Sequence, residues 1–215
     1  MTVTTVTCND RVMSSRKTEL RDAALNYLLE HGVANVSLRP LAAQLGTSPR
    51  ILMFHFKSKE QLLQEVLQEL HSRLQVSLTK MASTDTGPHR VPPLKRFWQW
   101  AIRKETFPHL RLLYEFQIVA AQNPVEYGRY LKKTSSDWHA IALGVMSSPM
   151  RNDAMATICI ALFDGLILEL MNGGDRQKLT KALDHFISIV SSASASTATA
   201  DRSSRKPAKK TDGRL

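Results

Sequence analysis

Residues 37–63 read SLRPLAAQLGTSPRILMFHFKSKEQLL. The pattern predicts a short helix, a tight turn at Gly46, a second short helix that begins at Ser48 and Pro49, and a longer helix that begins near Lys59. Two short helices joined by a turn of three or four residues place a recognition helix in the major groove of DNA. The stretch therefore predicts a helix-turn-helix DNA-binding domain.

The residue types at the helix ends support these boundaries. Ser37 and Ser48 are predicted N-caps, because a serine hydroxyl accepts a hydrogen bond from an unpaired N–H of the first helical turn. Gly46 lies where the chain needs a left-handed backbone, and Pro49 occupies a first helical position, where no N–H is required. Ser58 begins a capping box ahead of a long apolar stripe.

A further helix is predicted upstream, over residues 16–31. Its apolar positions have helical spacing, and Gly32 follows as its end. Residues 1–14 are expected to form a disordered leader because of their Thr and Val content, and they lack the apolar core of a signal peptide.

Residues 16–70 resemble the DNA-binding domain of the tetracycline-repressor (TetR) family. The matching elements are Ala23-Ala24, Glu30-His31-Gly32, Ser37-Leu38-Arg39, Leu41-Ala42, Leu45-Gly46-Thr47-Ser48, Phe54-His55-Phe56 and Lys57-Ser58-Lys59-Glu60-Gln61-Leu62-Leu63. The resemblance implies a bacterial transcriptional regulator, usually a repressor, that acts as a homodimer on a double-stranded, palindromic DNA operator. It also implies a larger helical domain that dimerises and often holds a small-molecule inducer.

The predicted DNA-contacting residues lie in and beside the recognition helix. They are Ser37, Arg39, Thr47, Ser48, Pro49, Arg50, Ile51, Met53, Phe54, His55 and Lys59. Arg50 is the leading candidate for base readout, since a guanidinium pairs with both acceptors of guanine, and an ordinary phosphate contact is the alternative. Ile51 and Met53 are candidates for thymine methyl contacts or for packing. Lys59 is expected at a phosphate or in solvent.

One segment departs from the family pattern. Family members usually carry a tyrosine, whose hydroxyl reaches a phosphate, where this chain reads Met53-Phe54. One hydrogen bond of about 0.5–1.5 kcal/mol should therefore be missing. We expect Phe54→Tyr to leave operator affinity unchanged or to increase it in a salt-controlled titration, whereas a large loss would mean that Phe54 is buried. Fewer backbone contacts are expected, so specificity should depend on Arg50 and its neighbours.

The charge of the chain is compatible with a polyanionic partner. Lys and Arg outnumber Asp and Glu by 29 to 19, giving a net charge of +10. Residues 1–82 carry 10 basic and 7 acidic side chains, residues 83–191 carry 13 and 10, and residues 192–215 carry 6 and 2. Neutralising phosphates supplies much of the affinity of proteins for DNA. A solvated basic surface would explain the total equally well.

The sequence carries no signature of catalysis, of a cofactor or of a metal site. It has no glycine-rich phosphate loop, no Gly-x-Ser-x-Gly motif and no His/Cys metal spacing. Cys8 and Cys159 do not suggest a disulfide framework, which favours a reducing cytoplasm. The longest apolar run, residues 154–163, is too short to span a bilayer. We therefore expect a soluble, cytoplasmic protein that is not an enzyme.

The pattern beyond the first domain is helical throughout, which predicts an all-α chain of about nine helices. A loop rich in Gly and Pro at residues 83–93 is expected to separate a DNA-binding domain at 15–82 from an effector-binding and dimerisation domain at 83–191. A disordered basic tail is expected at 192–215.

Further helix ends are predicted in this second domain. Asn123-Pro124 and Ser148-Pro149 are N-cap and first-position pairs. Asn172-Gly173-Gly174 is expected to end one helix, and Asp175 to cap the last, which closes near Ser191.

Two apolar stripes in the last helices predict a dimer surface, and the resemblance implies a four-helix bundle there. They comprise Ile158, Ala161, Gly165 and Leu168, and then Leu179, Leu183, Phe186 and Val190. The small residues would allow close helix approach. The alternative is that both stripes face the core of one subunit.

An aromatic-rich set in the second domain is the candidate effector pocket. Its members are Phe97, Trp98, Trp100, Phe107, Tyr114, Gln117, Trp138, His139, Met146 and Phe163. Their composition favours an apolar or aromatic effector, and plain core packing is the alternative for each of them. The competing interpretation of function is a regulator without a small-molecule inducer, controlled by a protein partner, or acting constitutively or as an activator.

The tail is rich in Ser, Ala and Thr and then in basic residues. The basic residues are Arg202, Arg205, Lys206, Lys209, Lys210 and Arg214. Such a segment buries too little apolar surface to order itself. It is expected either to contact DNA non-specifically or to serve as a solubilising end.

Overall fold

The computed structural model describes residues 8–83, 91–146 and 151–204. Those residues form nine α-helices and no strand, which confirms the predicted all-helical fold. The helices are α1 (Cys8–His31), α2 (Leu38–Gln44), α3 (Pro49–Phe56), α4 (Lys59–Ser83), α5 (Pro93–Ala101), α6 (Phe107–Gln122), α7 (Pro124–Val145), α8 (Asp153–Met171) and α9 (Arg176–Ser204).

The chain divides into two compact units. One lies within residues 1–90 and 99–136, and the other within 91–98 and 137–215. The first unit therefore contains α1 to α4 and α6, and α6 packs against both α1 and α4. One boundary between the units, at residues 90 and 91, lies within the predicted seam at 83–93, but the chain returns to the first unit at Gln99, so α6 belongs to the same unit as the helix-turn-helix.

The core of the first unit is built from one face of each of its helices. Leu28 of α1, Leu52 and Phe56 of α3 and Val66 of α4 have no exposed surface. Complete burial of such a side chain is worth about 1.5–3 kcal/mol. The two short helices are therefore held by buried side chains that leave their other faces free.

The predicted turn between the short helices is confirmed. Gly46 has φ +63°, and the N–H of Thr47 donates to the carbonyl of Ala42 at 2.9 Å. The hydroxyl of Ser48 accepts from the N–H of Ile51 at 3.3 Å, as an N-cap should.

The other two serine caps differ from each other. The hydroxyl of Ser58 accepts from the N–H of Gln61 at 3.0 Å, which confirms the cap of α4. Ser37 occupies the N-cap position of α2 with an extended backbone, but its side chain makes no capping hydrogen bond. The Ser37 cap was therefore predicted at the right position with the wrong contact.

Two predicted ends were wrong. The helix α1 begins at Cys8, so residues 8–14 are helical and not a disordered leader. The helix α9 continues to Ser204, beyond the predicted end near Ser191. Alanine is the best helix former, and the hydroxyls of Ser191 and Ser192 bond to carbonyls four residues back within the helix. Among the tail residues, Arg205, Lys206, Lys209, Lys210 and Arg214 lie outside the described residues.

Asn123 lies between α6 and α7 and does not act through its side chain as predicted. Its side-chain amide donates to the carbonyl of Val119 at 2.8 Å, so it caps the end of α6. Its backbone carbonyl accepts from the N–H of Glu126 and of Tyr127, which starts α7. The side chain thus closes one helix while the backbone begins the next.

The start of α8 also differs from the prediction. It is capped by Asn152, whose side chain accepts from the N–H of Met155 at 2.9 Å. The predicted Ser148-Pro149 start lies outside the described residues. At the other end, Gly173 has φ +88°, and Asp175 accepts from two N–H groups of α9 at 2.7 and 2.9 Å, as expected.

Candidate nucleic-acid interface

The recognition helix α3 has a buried side and an exposed side. Leu52 and Phe56 are completely buried, whereas Arg50 is exposed, Ile51 is 42% exposed and Phe54 is 65% exposed. Three exposed residues at positions i, i+1 and i+4 share one side of a helix. The helix therefore presents a guanidinium and two apolar side chains to whatever binds there.

The structure places the predicted DNA-contacting residues on α2 and α3, at the ends of those helices and at the first residue of α4. The exposed members are Ser37, Arg39, Ser48, Arg50, Ile51 and Phe54, and the half-buried ones are Thr47, Pro49, Met53, His55 and Lys59. The exposure of Phe54 shows that this side chain is not part of the core. Burial was the condition under which Phe54→Tyr would lose much of its operator affinity. Its ring contacts that of His55 edge-on, with centroids 5.3 Å apart.

The helix-turn-helix segment contains no acidic residue. Residues 37–59 include four cationic side chains, and none of the four forms an ion pair in the part of the chain that the structure describes. They are Arg39, Arg50, Lys57 and Lys59. All four positive charges are therefore available to a polyanion.

Three acidic residues of this unit are paired elsewhere, between α1 and α4. Lys17 contacts Glu65 at 2.7 Å, and Glu69 binds Arg21 at 3.0 Å and Arg73 at 2.8 Å. The modest charge of residues 1–82 nevertheless understates the charge of the binding surface, since residues 37–59 carry four cations and no acidic residue. The expectation of few backbone contacts, which rested partly on that modest total, loses this support.

Lys57 was missed by the sequence analysis. It connects α3 to α4 with φ +64° and ψ −44°, and the N–H of Ser58 donates to the carbonyl of Phe56 at 2.7 Å across it. This is a γ-turn with positive φ, which is rare and strained for a residue with a side chain. The side chain of Lys57 is exposed. The residue type lysine does not indicate a positive φ. Only the position next to the recognition helix could have suggested Lys57 as a functional residue.

The predicted effector residues do not lie together in one unit. Trp100, Phe107, Tyr114 and Gln117 belong to the first unit. Phe97, Trp98, Trp138, His139, Met146 and Phe163 belong to the second. Trp100 is buried, and its indole N–H donates to the hydroxyl of Ser77 at 2.9 Å, as in ordinary core packing.

The aromatic residues of the second unit form a cluster. The ring of Phe97 meets Phe163 edge-on at 4.7 Å and Trp138 at 6.0 Å between centroids. Trp98 is completely buried, and its indole N–H donates to the hydroxyl of Thr180 at 2.9 Å. Three of the predicted residues therefore pack into one aromatic cluster, in which Phe163 is buried and Phe97 and Trp138 are half-buried, and Trp98 lies beside Phe163.

A polar cleft lies elsewhere, in the first unit. It is lined by Arg21, Gln61, Gln64, Glu65, Gln68 and Glu69. None of the predicted effector residues takes part in it. Its side chains would suit a polar ligand and not the apolar effector that the sequence suggests.

The two predicted dimer stripes behave differently in the single chain. All four residues of the α8 stripe are exposed, with Ile158 at 49% and Leu168 at 47%. A Cβ added at Gly165 would meet nothing within 4 Å. In the α9 stripe, Leu183 is completely buried, so it faces its own core and its assignment to the interface was wrong. The other α9 residues, Leu179, Phe186 and Val190, are half-buried.

The exposed, acid-free α2–turn–α3 surface defines a class of protein, the helix-turn-helix DNA-binding regulators. Residues 20–66 match the sequence model of the bacterial regulatory proteins of the TetR family. This match covers the helix-turn-helix part of the chain.

Similarity to individual relatives extends over most of the chain. The HTH-type transcriptional repressor AcnR of Corynebacterium diphtheriae is 25% identical over 177 residues, which are 80% of this chain and 90% of that repressor. A solved TetR-family regulator from Rhodococcus sp. has a TM-score of 0.63 at 20% identity, covering 82% of this chain and 98% of the other. The multidrug binding protein EbrR complexed with ethidium has a TM-score of 0.58 at 18% identity, covering 79% and 97%. The two solved structures share the fold.

Proposed function

We propose that the protein is a cytoplasmic, homodimeric repressor that binds a palindromic operator through α2 and α3 of each copy and is released by a small apolar or aromatic effector. The observation that carries the DNA-binding part is the acid-free segment 37–59, whose four cations have no ion-pair partner among the described residues. Counterion release from phosphates then drives binding, and exposed α3 side chains supply the sequence preference.

The affinity of the Arg50→Ala variant for the operator tests this proposal. A footprinted operator and a scrambled duplex would be titrated by fluorescence anisotropy at several salt concentrations. We expect the variant to lose about 1–3 kcal/mol of affinity for the operator and much less for the scrambled duplex. The matched control is Arg129→Ala, an exposed arginine of α7, which should change neither affinity. If the unmodified protein itself shows no preference for any footprinted site, the proposal fails.

The exposed stripe on α8 supports dimerisation. A helix with two small and two large apolar residues on one exposed side needs a partner to cover it. Among the described helices, α8 alone is long and apolar enough to cross a bilayer, so the shortness of residues 154–163 does not settle that question. Asp164 and Glu169 are exposed along it, and a carboxylate at bilayer depth costs about 2.5–3.5 kcal/mol. A second copy is therefore the better partner.

The aromatic cluster of the second unit supports an aromatic effector. Phe97 and Trp138 are half-buried beside the buried Phe163, so their rings would pack against a flat ligand, and the similar fold of EbrR has been solved with ethidium bound. We propose this cluster, with His139 and Met146 at its side, as the part of the predicted pocket that contacts the effector.

Ethidium is the first probe for this part of the proposal. We expect it to raise the melting temperature of the DNA-free protein, and Trp138→Ala to reduce this rise. Because ethidium itself intercalates into duplex DNA, weakened operator binding is measured with planar aromatics that do not intercalate. Val125→Ala, at a fully exposed position, is the control. If neither ethidium nor other planar aromatics has either effect, the competing interpretation gains support: a regulator without a small-molecule inducer, controlled by a protein partner or acting constitutively or as an activator.

A further inference from the structure

The apolar part of the recognition surface consists of Ile51 and Phe54. Both lie on the exposed side of α3, three positions apart, and both are more than two-fifths exposed. The core does not need them, since Leu52 and Phe56 of the same helix fill it completely. An exposed phenyl ring in the middle of a cationic surface is unfavourable in the free protein, which suggests that a bound partner covers it.

The surroundings of the pair indicate which partner covers it. Arg50 precedes Ile51 directly and lies one helical turn before Phe54, on the same exposed side. The pair is therefore continuous with the cationic surface of residues 37–59, and the partner must combine negative charge with an apolar group. In the major groove, thymine is the base that presents an apolar group, its 5-methyl.

We propose that Ile51 and Phe54 read thymine 5-methyl groups beside a guanine that Arg50 reads. The inference rests on the proposed function, because it requires α3 to enter the major groove. Phe54 has no hydroxyl with which to bind a phosphate, so it cannot contribute to sequence-independent binding in that way. Contact with a thymine methyl group gives this side chain a role in binding. Arg50 and Phe54 are about 6 Å apart along the helix axis, while stacked bases are about 3.4 Å apart. The guanine and the thymine should therefore lie within about two base-pair steps of each other.

Replacing thymine by deoxyuridine tests the inference, because it removes only the methyl group. Each thymine of a footprinted half-site would be replaced in turn, and the dissociation constant of the unmodified protein measured by anisotropy at fixed salt. We expect at least one replacement within about two steps of a guanine to weaken binding about fourfold, the value of one buried methyl group. Cytosine replaced by 5-methylcytosine at an unrelated position should have no effect.

Protein variants assign the methyl group to its reader. Phe54→Ala should weaken binding to the thymine operator and show no further loss on the deoxyuridine operator, and Ile51→Ala should behave in the same way at its own position. Ile118→Ala, an exposed isoleucine on α6, should respond to deoxyuridine as the unmodified protein does. The melting temperatures should be unchanged, since all three side chains are exposed.

Two outcomes would overturn the inference while leaving the proposed function intact. One is specific operator binding that no deoxyuridine replacement weakens. The other is a loss of affinity on replacement of thymine by deoxyuridine that has the same size in the unmodified protein, in Phe54→Ala and in Ile51→Ala. The absence of any specific site, by contrast, would remove the proposed function itself.

Discussion

The exposure of single residues on α3 was predictable to the extent that it follows from their position in the helix. Arg50 was expected to face DNA, and it is exposed, whereas Leu52 and Phe56, for which no prediction was made, are completely buried. The exposure of Phe54 could not be read from its residue type, because an aromatic residue is usually buried whereas this one is 65% exposed. The positive φ of Lys57 could not be predicted for a different reason, because it depends on how the chain connects α3 to α4.

Lys57→Gly should separate stability from binding. Glycine adopts a positive φ without strain, so the free energy of unfolding should stay the same or rise by up to about 1 kcal/mol. If Lys57 contacts phosphate, operator affinity should fall, and the salt dependence should decrease by about one counterion. Chemical denaturation and a salt-dependent anisotropy titration measure the two effects.

The control for this experiment is Lys59→Gly, the same change two residues further along. Lys59 begins α4, where a glycine should lower the free energy of unfolding by up to about 1 kcal/mol. A Lys57→Gly variant that is destabilised as much as Lys59→Gly would show that its backbone is not strained. Unchanged operator affinity would show that its charge faces no phosphate.

At the scale of elements, the helices were predictable and several of their ends were not. Caps made within four residues, such as Ser48, Ser58 and Asp175, follow from local sequence and were found. The packing of α6 against α1 was not predictable, because it depends on contacts between residues about eighty positions apart. Glu115 of α6 accepts from the N–H of Val33 at 3.0 Å, and Arg111 donates to the carbonyl of Leu29 at 3.0 Å. These two side chains hold the end of α1.

Substitutions at Gly32 and Glu115 should reveal this contact. Gly32 has φ +75°, and a Cβ there would lie 2.7 Å from a carboxylate oxygen of Glu115. Glu115→Ala leaves the N–H of Val33 without its partner, so the free energy of unfolding should fall by about 1–3 kcal/mol. Gly32→Ala should cost about 1–2 kcal/mol through its positive φ, and more if Glu115 must move.

A double-mutant cycle by urea denaturation is the measurement. Both changes disturb the same hydrogen bond, so the loss in the double variant should be smaller than the summed losses of the single variants. The control is Glu105→Ala, at an exposed position before α6, which should change the free energy of unfolding by less than about 0.5 kcal/mol. Additive losses would contradict the contact.

The packing of α6 against α4 should also depend on pH. Burial lowers the pKa of His109, and the nearby Arg73 lowers it further, although a hydrogen bond to the carbonyl of Glu105 opposes them. His109 therefore binds a proton more readily in the unfolded chain than in the folded one. The contribution of the neutral His109 to the free energy of unfolding is complete above the ordinary histidine pKa. We expect the free energy of unfolding to fall as the pH drops from about 6.5.

Urea denaturation at pH values from about 7 to 5 compares the unmodified protein with His109→Gln. The variant should show a smaller decrease over this window, because its side chain does not titrate. An equal decrease in the unmodified protein and in His109→Gln would show that another group is responsible.

At the scale of the whole molecule, the sequence predicted which helix presents an apolar surface but not how the chain divides. The α8 stripe is exposed as an interface requires, whereas Leu183 of the neighbouring stripe is buried in its own chain. Helical spacing alone cannot distinguish these cases, because a buried stripe and an interface stripe have the same period. The candidate pocket was likewise drawn from residues that belong to two different units.

Gly165→Leu should prevent dimerisation without preventing folding. A side chain at this position has open space within its own chain and replaces a glycine inside a helix, so the monomer should not be destabilised. In the proposed dimer it would occupy the point of closest helix approach. We expect light scattering to show a monomer, and operator affinity to fall because only one half-site is held.

Gly144→Leu is the matched control, since this glycine of α7 is also exposed and has open space around it. It should leave the mass and the operator affinity of the unmodified protein unchanged. A Gly165→Leu variant that keeps the mass of a dimer would exclude this part of α8 from the interface.

The separation of buried and exposed residues on α3 has a consequence for engineering and for evolution. Leu52 and Phe56 hold the helix in place, and Arg50, Ile51 and Phe54 take no part in holding it. New combinations at those three exposed positions can therefore be selected without loss of folding. A library restricted to them is a practical route to variants with altered DNA preference, and related regulators could diverge in their target genes by the same few changes.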